Sequence, residues 1–134
     1  LVVKNLFYTV SDIERIGDHS ENLAELAGEK IQNQIHFSQK ASADLREMLS
    51  AAAASVEHAL TARKDHDRSK VRLVIQSEER VDSLEEDLRE QHIERLSNRQ
   101  CQTESGVIFL DVINNLERVS DHALNIAGYV RDEV

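Results

Sequence analysis

Apolar residues recur at intervals of three and four along almost the whole chain, which is the spacing of helices with one buried face. Polar stretches interrupt this pattern and divide it into four predicted helices. They run from about residue 3 to 34, from 39 to 63, from just after 67 to 96 and from 105 to 131. Because the connections are short, we expect the helices to pack antiparallel as a bundle.

Each predicted helix has its own apolar positions, which we expect to face the interior. They are Leu6, Val10, Ile13, Ile16, Leu23, Ala27 and Ile31 in the first helix; Leu45, Met48, Leu49, Val56 and Leu60 in the second; Val71, Val74, Ile75, Val81, Leu84, Leu88 and Ile93 in the third; and Ile108, Phe109, Val112, Ile113, Leu116, Val119, Ile126 and Ala127 in the fourth. Ser38 and Asp67 are the predicted N-caps of the second and third helices. The four alanines at 51–54 predict close approach of a neighbouring helix.

Composition supports an all-α fold, because the chain has no proline and only four glycines to interrupt a helix. The formal net charge of -9 argues against nucleic acid as a partner, since phosphate binding needs a basic surface, and it favours cations instead. Cys101 is the only cysteine, so an internal disulfide is excluded and a reducing, cytosolic setting is expected. No stretch reaches the roughly 20 apolar residues of a membrane-spanning helix.

One segment of the first helix is repeated in the fourth. The letters DIERIGDHSENLAELA at 12–27 return as NLERVSDHALNIAGYV at 115–130, which indicates a duplicated structural unit. The chain also begins LVVKNLFYTV, without an initiator methionine and already within a helical pattern. We therefore expect a fragment of a longer protein.

Acidic pairs spaced four residues apart are the candidate chemistry. Because positions i and i+4 share one face of a helix, each pair places two carboxylates side by side. The pairs are Glu14 with Asp18, Glu78 with Asp82, and Glu117 with Asp121. Two groups could compensate the negative charge of these pairs. One is the neighbouring arginines at 15, 80 and 118, and the other is a metal ion held by oxygen ligands from facing helices.

Histidines leave two alternatives at the repeated segment. His19 and His122 directly follow the aspartates, and they are either additional metal ligands or polar packing residues between helices. A ferritin-like di-iron site is disfavoured, because no histidine has a glutamate three residues before it. The chain also has no zinc-binding cysteine framework, no glycine-rich phosphate loop and no nucleophile elbow, so the sequence offers no case for catalysis.

The stretches DIERIGDH and NLERVSDH resemble the duplicated signature of PhoU proteins, bacterial phosphate-signalling regulators made of two three-helix repeats. The resemblance implies that each repeat ends with the helix that carries Glu-Arg-x-x-Asp. Residues 1–34 would then be the last helix of repeat one, and residues 39–134 would form repeat two. The expected fold is an all-α, antiparallel bundle of four long helices.

Three further stretches, FSQKASADL, HIERLSNRQC and GVIFLDVINNLERVSDHALNIA, are similar to the C-terminal PhoU-like region of bacterial sodium/phosphate cotransporters of the type II-related family. That similarity implies a regulatory, non-catalytic domain on the cytoplasmic side of the plasma membrane. Its partners would be the transmembrane transporter portion of the same chain and a second copy in a homodimer. Two alternatives are a free-standing PhoU regulator of a phosphate-uptake ATPase and its sensor kinase, and a metal-dependent hydrolase.

The PhoU resemblance also implies a metal cofactor, a divalent or ferric ion such as iron or zinc. In that family the Glu-x-x-x-Asp carboxylates bind metal clusters, which carries over to Glu14, Asp18, Glu117 and Asp121. Further acidic ligands would be Glu78 and Asp82. Because the first repeat lacks two helices here, we expect the third and fourth helices to form the site that assembles.

Overall fold

The computed structural model describes residues 1–98 and 103–133. These residues form four α-helices and contain no strand: α1 (Val2–Gln32), α2 (Gln39–Asp65), α3 (Arg68–Ser97) and α4 (Thr103–Glu133). The predicted all-α fold with four long helices is confirmed, and every boundary lies within a few residues of its predicted place. Cys101 lies outside the described residues.

Both predicted N-caps are present. The hydroxyl of Ser38 accepts a hydrogen bond from the backbone N–H of Ala41 at 3.1 Å, and the carboxylate of Asp67 accepts one from the backbone N–H of Ser69 at 2.8 Å. Caps of this kind each contribute about 1 kcal/mol to helix stability. His66 closes α2 in the left-handed conformation (φ 52°), so the chain reverses within two residues and α3 runs back along α2.

The four helices do not contribute equally to the bundle. Helices α2, α3 and α4 pack against one another in a three-helix unit, whereas α1 packs on α4 alone among the described residues. Helix α4 is therefore central, with one face toward α2 and α3 and another toward α1. The interior of the three-helix unit contains fully buried Met48, Val74, Val81, Leu88, Ile113 and Ile126.

Small residues on α2 allow close helix packing, as the alanine run predicts, but only part of the run takes part. Ala52, Ala59 and Ala62 are at most 1% exposed. Ala53, in the middle of the run, is exposed because it lies on the opposite side of the helix.

The predicted apolar positions of α1 do not form one buried face: Ile16 and Leu23 are partly buried and pack against the core, whereas the others are exposed. Leu6, Val10, Ile13 and Ile31 are 45%, 64%, 45% and 78% exposed, so their prediction as interior residues is wrong. The face of α1 that packs on α4 begins with polar residues, and Asn5, Thr9 and Asp12 are all buried there. Spacing alone marks an apolar face, but burial requires a neighbouring helix, and α1 has only one.

Four further predicted core residues are exposed: Ala27 on α1, Leu49 and Leu60 on α2, and Ile93 on α3. At the end of α3 the buried position belongs to His92 instead, whose ring lies 5.6 Å from that of Phe109. Gly106 makes room for this ring, because a Cβ there would lie 2.8 Å from an atom of His92.

A buried ion pair ties the ends of three helices together. Arg63 of α2 contacts Glu133 of α4 at 2.5 Å, and Asn5 of α1 donates a hydrogen bond to the same carboxylate at 2.9 Å. The hydrogen bond from Arg63 lowers the pKa of Glu133 to about 2. The carboxylate therefore stays charged across the physiological pH range.

Candidate metal centre and the α1–α4 interface

Three of the predicted acidic residues converge where α3 faces α4. One carboxylate oxygen each from Glu78, Asp82 and Asp121 lies within 4.8 Å of the others. Glu78 and Asp82 are one turn apart on α3, and Asp121 reaches the same place from α4. Glu78 is partly buried while the two aspartates are exposed, so the group is open to solvent on one side.

The electrostatics of this group are unfavourable when all three carboxyls are charged. Burial is the main reason that the pKa of Glu78 is raised. The hydrogen bond with Asp82 and the charges of Asp82 and Asp121 raise it further, to about 7. Burial and the charge of Asp82 also raise the pKa of Asp121. Glu78 therefore gains and loses its proton near neutral pH. A bound cation would reduce the repulsion among the three carboxylates.

Glu117 lies beside this group rather than in it. It is one turn before Asp121 on α4, and burial followed by the charges of Asp121 and Asp82 raises the pKa of its carboxyl. It therefore experiences the same negative field.

The matching pair on α1 is not gathered with other ligands. Glu14 and Asp18 are exposed on a helix that packs only on α4. Among the residues that the structure describes, no third carboxylate, histidine or cysteine gathers with them. The structure thus brings together Glu78, Asp82 and Asp121, keeps Glu117 next to them, and leaves the first pair apart.

The arginines that could compensate the acidic pairs differ in which residues they contact or influence. Arg80 forms an ion pair with Glu47 of α2 and not with the acidic pair on its own helix. Arg118 lowers the pKa of Glu117 and Asp121 only as a secondary effect, against the larger influence of burial.

His19 and His122 lie at the interface between α1 and α4, where their rings stack at a centroid distance of 5.7 Å. His122 Nδ1 donates to the carboxylate of buried Asp12 at 2.8 Å, and Asn125 donates to the same oxygen at 3.2 Å. The hydroxyl of Tyr129 donates to the other oxygen at 2.8 Å, and burial together with Asp12 raises the pKa of that tyrosine to about 12.

The other end of this interface repeats the arrangement with a neutral residue. His19 Nδ1 donates to the side-chain oxygen of Asn115 at 3.0 Å, and Asn22 donates to it at 3.3 Å. Asn115 occupies the position in the repeated segment that Asp12 occupies in the first copy. Helices α1 and α4 therefore pack antiparallel with approximate two-fold symmetry.

The hydrogen bonds of both histidines favour polar packing over metal binding, since neither ring joins Glu78, Asp82 and Asp121 in the described part of the chain. Sequence reasoning missed the partners of the two rings. The sequence did contain a signal for this polar network. In both copies an asparagine follows the histidine by three residues and lies on the same helix face.

The PhoU domain model matches residues 45–130, which is more than half of the chain. This chain belongs to the PhoU domain family. The match contains Glu78, Asp82, Glu117 and Asp121 and leaves out α1. The expected PhoU fold is thereby confirmed for the three-helix unit of α2, α3 and α4.

Related proteins cover more of this PhoU chain than the domain model does. The phosphate-specific transport system accessory protein PhoU homolog 1 of Thermotoga maritima is 27% identical over 135 residues, covering 96% of this chain and 57% of that protein. The PhoU homolog of Deinococcus radiodurans is 28% identical over 131 residues, covering 98% and 58%. The homolog of Streptococcus pneumoniae is 26% identical over 124 residues, covering 92% and 56%.

The chain spans just over half the length of these relatives. All three are named as accessory proteins of phosphate-specific transport systems, so they give no support to the expected attachment to a sodium/phosphate cotransporter. No solved structure gives a significant match to the chain. Within the described residues, no helix of this PhoU domain is long and apolar enough to cross a membrane.

Proposed function

We propose that this chain is a regulatory PhoU domain of a bacterial phosphate-transport system and acts by binding partner proteins rather than by catalysis. The observation that carries the proposal is its similarity, over more than nine-tenths of its length, to proteins named as accessory components of phosphate-specific transport. Membership of the PhoU domain family supports it independently.

Two finer assignments follow from different features of the chain. A PhoU-type regulator of a phosphate-uptake ATPase and its sensor kinase is favoured by the names of the relatives. A domain attached to a sodium/phosphate cotransporter rests only on the local sequence similarity described above. We place the first ahead of the second, and in both the domain works at the cytoplasmic side of the membrane.

We further propose that Glu78, Asp82 and Asp121 bind a cation with the help of Glu117. The donor set fits such an ion, because the oxygens already converge within 4.8 Å, and burial together with the neighbouring carboxylates raises the pKa of Glu78 to about 7. Carboxylate oxygens suit hard cations such as manganese(II) or iron(III) better than zinc, which prefers nitrogen and sulfur. The cation would reduce the repulsion among these carboxylates and hold α3 against α4.

The repeat organisation is also part of the proposal. Residues 39–134 would form one complete three-helix repeat, and residues 1–34 would supply the last helix of the preceding one. The exposed apolar face of α1 supports this division, because the equivalent face of α4 is buried by α2 and α3. A helix pair resembling α2 and α3, from the same protein or from a second copy, would cover it.

Direct binding tests the regulatory role. The purified domain would be immobilised and exposed in turn to the ATPase subunit of a phosphate-uptake transporter, the cytoplasmic part of its sensor kinase, and a sodium/phosphate cotransporter in detergent. We expect saturable binding to the ATPase subunit or the kinase. Binding to the cotransporter alone would reverse the order of the two finer assignments, and binding to none of them would contradict the role.

A further inference from the structure

An open pocket of about 450 Å³ lies between α1, α3 and α4, directly beside the converging carboxylates of Glu78, Asp82 and Asp121. Three arginines line it, Arg15 from α1, Arg89 from α3 and Arg118 from α4, together with His122. Asp121 lines the same pocket and also belongs to the converging carboxylates, so the two features are continuous.

Two of the three guanidinium groups are available to a ligand. Arg89 is engaged by Glu85 and Asn114. Arg15 and Arg118 have no hydrogen bond or ion pair with any residue that the structure describes. They occupy equivalent positions in the repeated segment, and the antiparallel packing of α1 on α4 brings both to this pocket.

His122 adds a hydrogen-bond acceptor to the pocket, whereas the arginines are donors. Its Nδ1 is committed to the buried carboxylate of Asp12, and a carboxylate accepts hydrogen bonds but does not donate them. The hydrogen therefore resides on Nδ1, and in the neutral ring Nε2 is an acceptor. In residues 1–98 and 103–133 this Nε2 has no hydrogen-bond partner.

The donors and the acceptor together fit a tetrahedral oxyanion that carries a hydroxyl group. Guanidinium groups bind its oxygens through charge-assisted hydrogen bonds. Near neutral pH inorganic phosphate keeps a hydroxyl that Nε2 would accept from, and a phosphate monoester has one in its monoanionic form, whereas sulfate has none. The pocket is also large enough and open enough for a small substituent on the phosphate.

Charge balance couples this pocket to the cation site. Glu117 and Asp121 line the pocket and offset the charges of Arg15 and Arg118, so a free anion meets no net attraction there. A cation on the carboxylates reduces this offset, so more of the guanidinium charge can attract an anion. Cation and oxyanion should therefore bind cooperatively.

We propose that this pocket binds a phosphate-type oxyanion through Arg15 and Arg118, next to a cation held by the carboxylates of α3 and α4. The inference rests on the proposed function, because it uses the proposed cation site, and it adds a ligand class and the residues that hold it. A domain with such a pocket would respond to phosphate directly.

Isothermal titration of the manganese(II)-loaded domain with inorganic phosphate, glycerol 3-phosphate and sulfate tests the proposal. We expect saturable one-site binding of phosphate and weaker binding of sulfate. Arg15→Gln and Arg118→Gln should each weaken phosphate binding about tenfold, since a charge-assisted hydrogen bond contributes about 1.4 kcal/mol or more. Arg72→Gln, an exposed arginine of α3 outside the pocket, is the matched control.

Glycerol 3-phosphate that binds as well as phosphate would assign the pocket to monoesters, and binding of phosphate alone would assign it to the free ion; each supports the proposal. Absence of phosphate binding, equal binding of sulfate, or unchanged affinity in both pocket variants would overturn it. Manganese-induced thermal stabilisation is measured on the same samples. If that stabilisation persists while phosphate fails to bind, only the oxyanion proposal falls; if the stabilisation is absent, the cation site falls with it.

Discussion

Helices α1 and α4 carry nearly the same segment, yet their surroundings differ. On α4, Phe109, Ile113 and Leu116 are 2%, 0% and 2% exposed because α2 and α3 cover them. The equivalent positions on α1, Leu6, Val10 and Ile13, are 45%, 64% and 45% exposed. The same apolar spacing therefore produces a core face on one helix and an open face on the other.

The acidic pairs of the two copies differ for the same reason. Asp121 on α4 meets Glu78 and Asp82 because α3 lies beside it. Asp18 on α1 has no such helix, and its pair remains exposed. The comparison shows that the Glu-x-x-x-Asp spacing places two carboxylates on one helix face, whereas convergence with further carboxylates depends on the neighbouring helix.

The largest expected difference between the copies is in the core. Ile113→Ala should destabilise the domain by about 3 kcal/mol, because it removes a fully buried side chain and leaves a cavity. Val10→Ala, the equivalent change on α1, should cost less than about 0.5 kcal/mol, since that side chain is mostly exposed. Urea unfolding measures both. Equal losses would show that the α1 face is covered in this chain.

The next difference concerns the cation. With manganese(II) at about a hundredfold excess over its dissociation constant, the folded state should gain about 2.7 kcal/mol and melt several degrees higher. Asp121→Asn should lose most of this shift, and Asp18→Asn, the equivalent change on α1, should keep it. Differential scanning calorimetry before and after chelation gives the readout. A shift that both variants retain would place the cation elsewhere.

The α1–α4 interface should also respond unequally at its two ends. Asp12→Ala leaves the polar groups of His122, Asn125 and Tyr129 without their acceptor, and we expect a loss of about 2 kcal/mol. Asn115→Ala removes a neutral acceptor at a more exposed place and should cost about half as much. Thermal unfolding compares the two variants, and a larger loss from Asn115→Ala would contradict the assignment of Asp12 as the buried centre.

The pH dependence of stability should have two opposite components. The pKa of Glu78 is raised from 4.5 to about 7, so the folded state binds its proton more tightly and this contribution to stability falls as pH rises through that interval. The pKa of Glu133 is lowered from 4.5 to about 2, so its contribution is present above 4.5 and disappears as pH falls toward 2.

Glu78→Gln should therefore remove the decline between pH 4.5 and about 7 in metal-free protein. Urea midpoints measured across that range test the change. A profile that is the same in Glu78→Gln and the parent would show that burial and the neighbouring carboxylates do not raise the pKa of Glu78 in solution.

The smallest expected effects are at the equivalent positions Gly17 and Ser120. Gly17→Ala should stabilise α1 by about 0.5 to 1 kcal/mol, because the added Cβ meets nothing within 4 Å and alanine favours the helix. Ser120→Ala removes a fully buried hydroxyl that has no hydrogen-bond partner in the described structure and should change stability by less than about 1 kcal/mol. Denaturant midpoints resolve both, and a destabilising Gly17→Ala would show that this face is packed.

The sequence by itself determined the secondary structure, the family and the candidate ligands. Helix positions follow from local spacing, and the N-caps at Ser38 and Asp67 follow from side chains that bond to the adjacent backbone. The repeated segment indicated the PhoU resemblance before any contact was known. The i, i+4 acidic pairs were also readable, because neighbours on one helix face depend only on the geometry of that helix.

Only the tertiary structure decided which of these features act together. Three of the predicted ligands, Glu78, Asp82 and Asp121, converge because α3 packs on α4, and Glu14 and Asp18 stay apart because α1 does not pack on α3. Asp12 likewise became the centre of a buried network through a helix that is distant in sequence. Periodicity describes one helix at a time, whereas burial and convergence depend on which helix lies opposite.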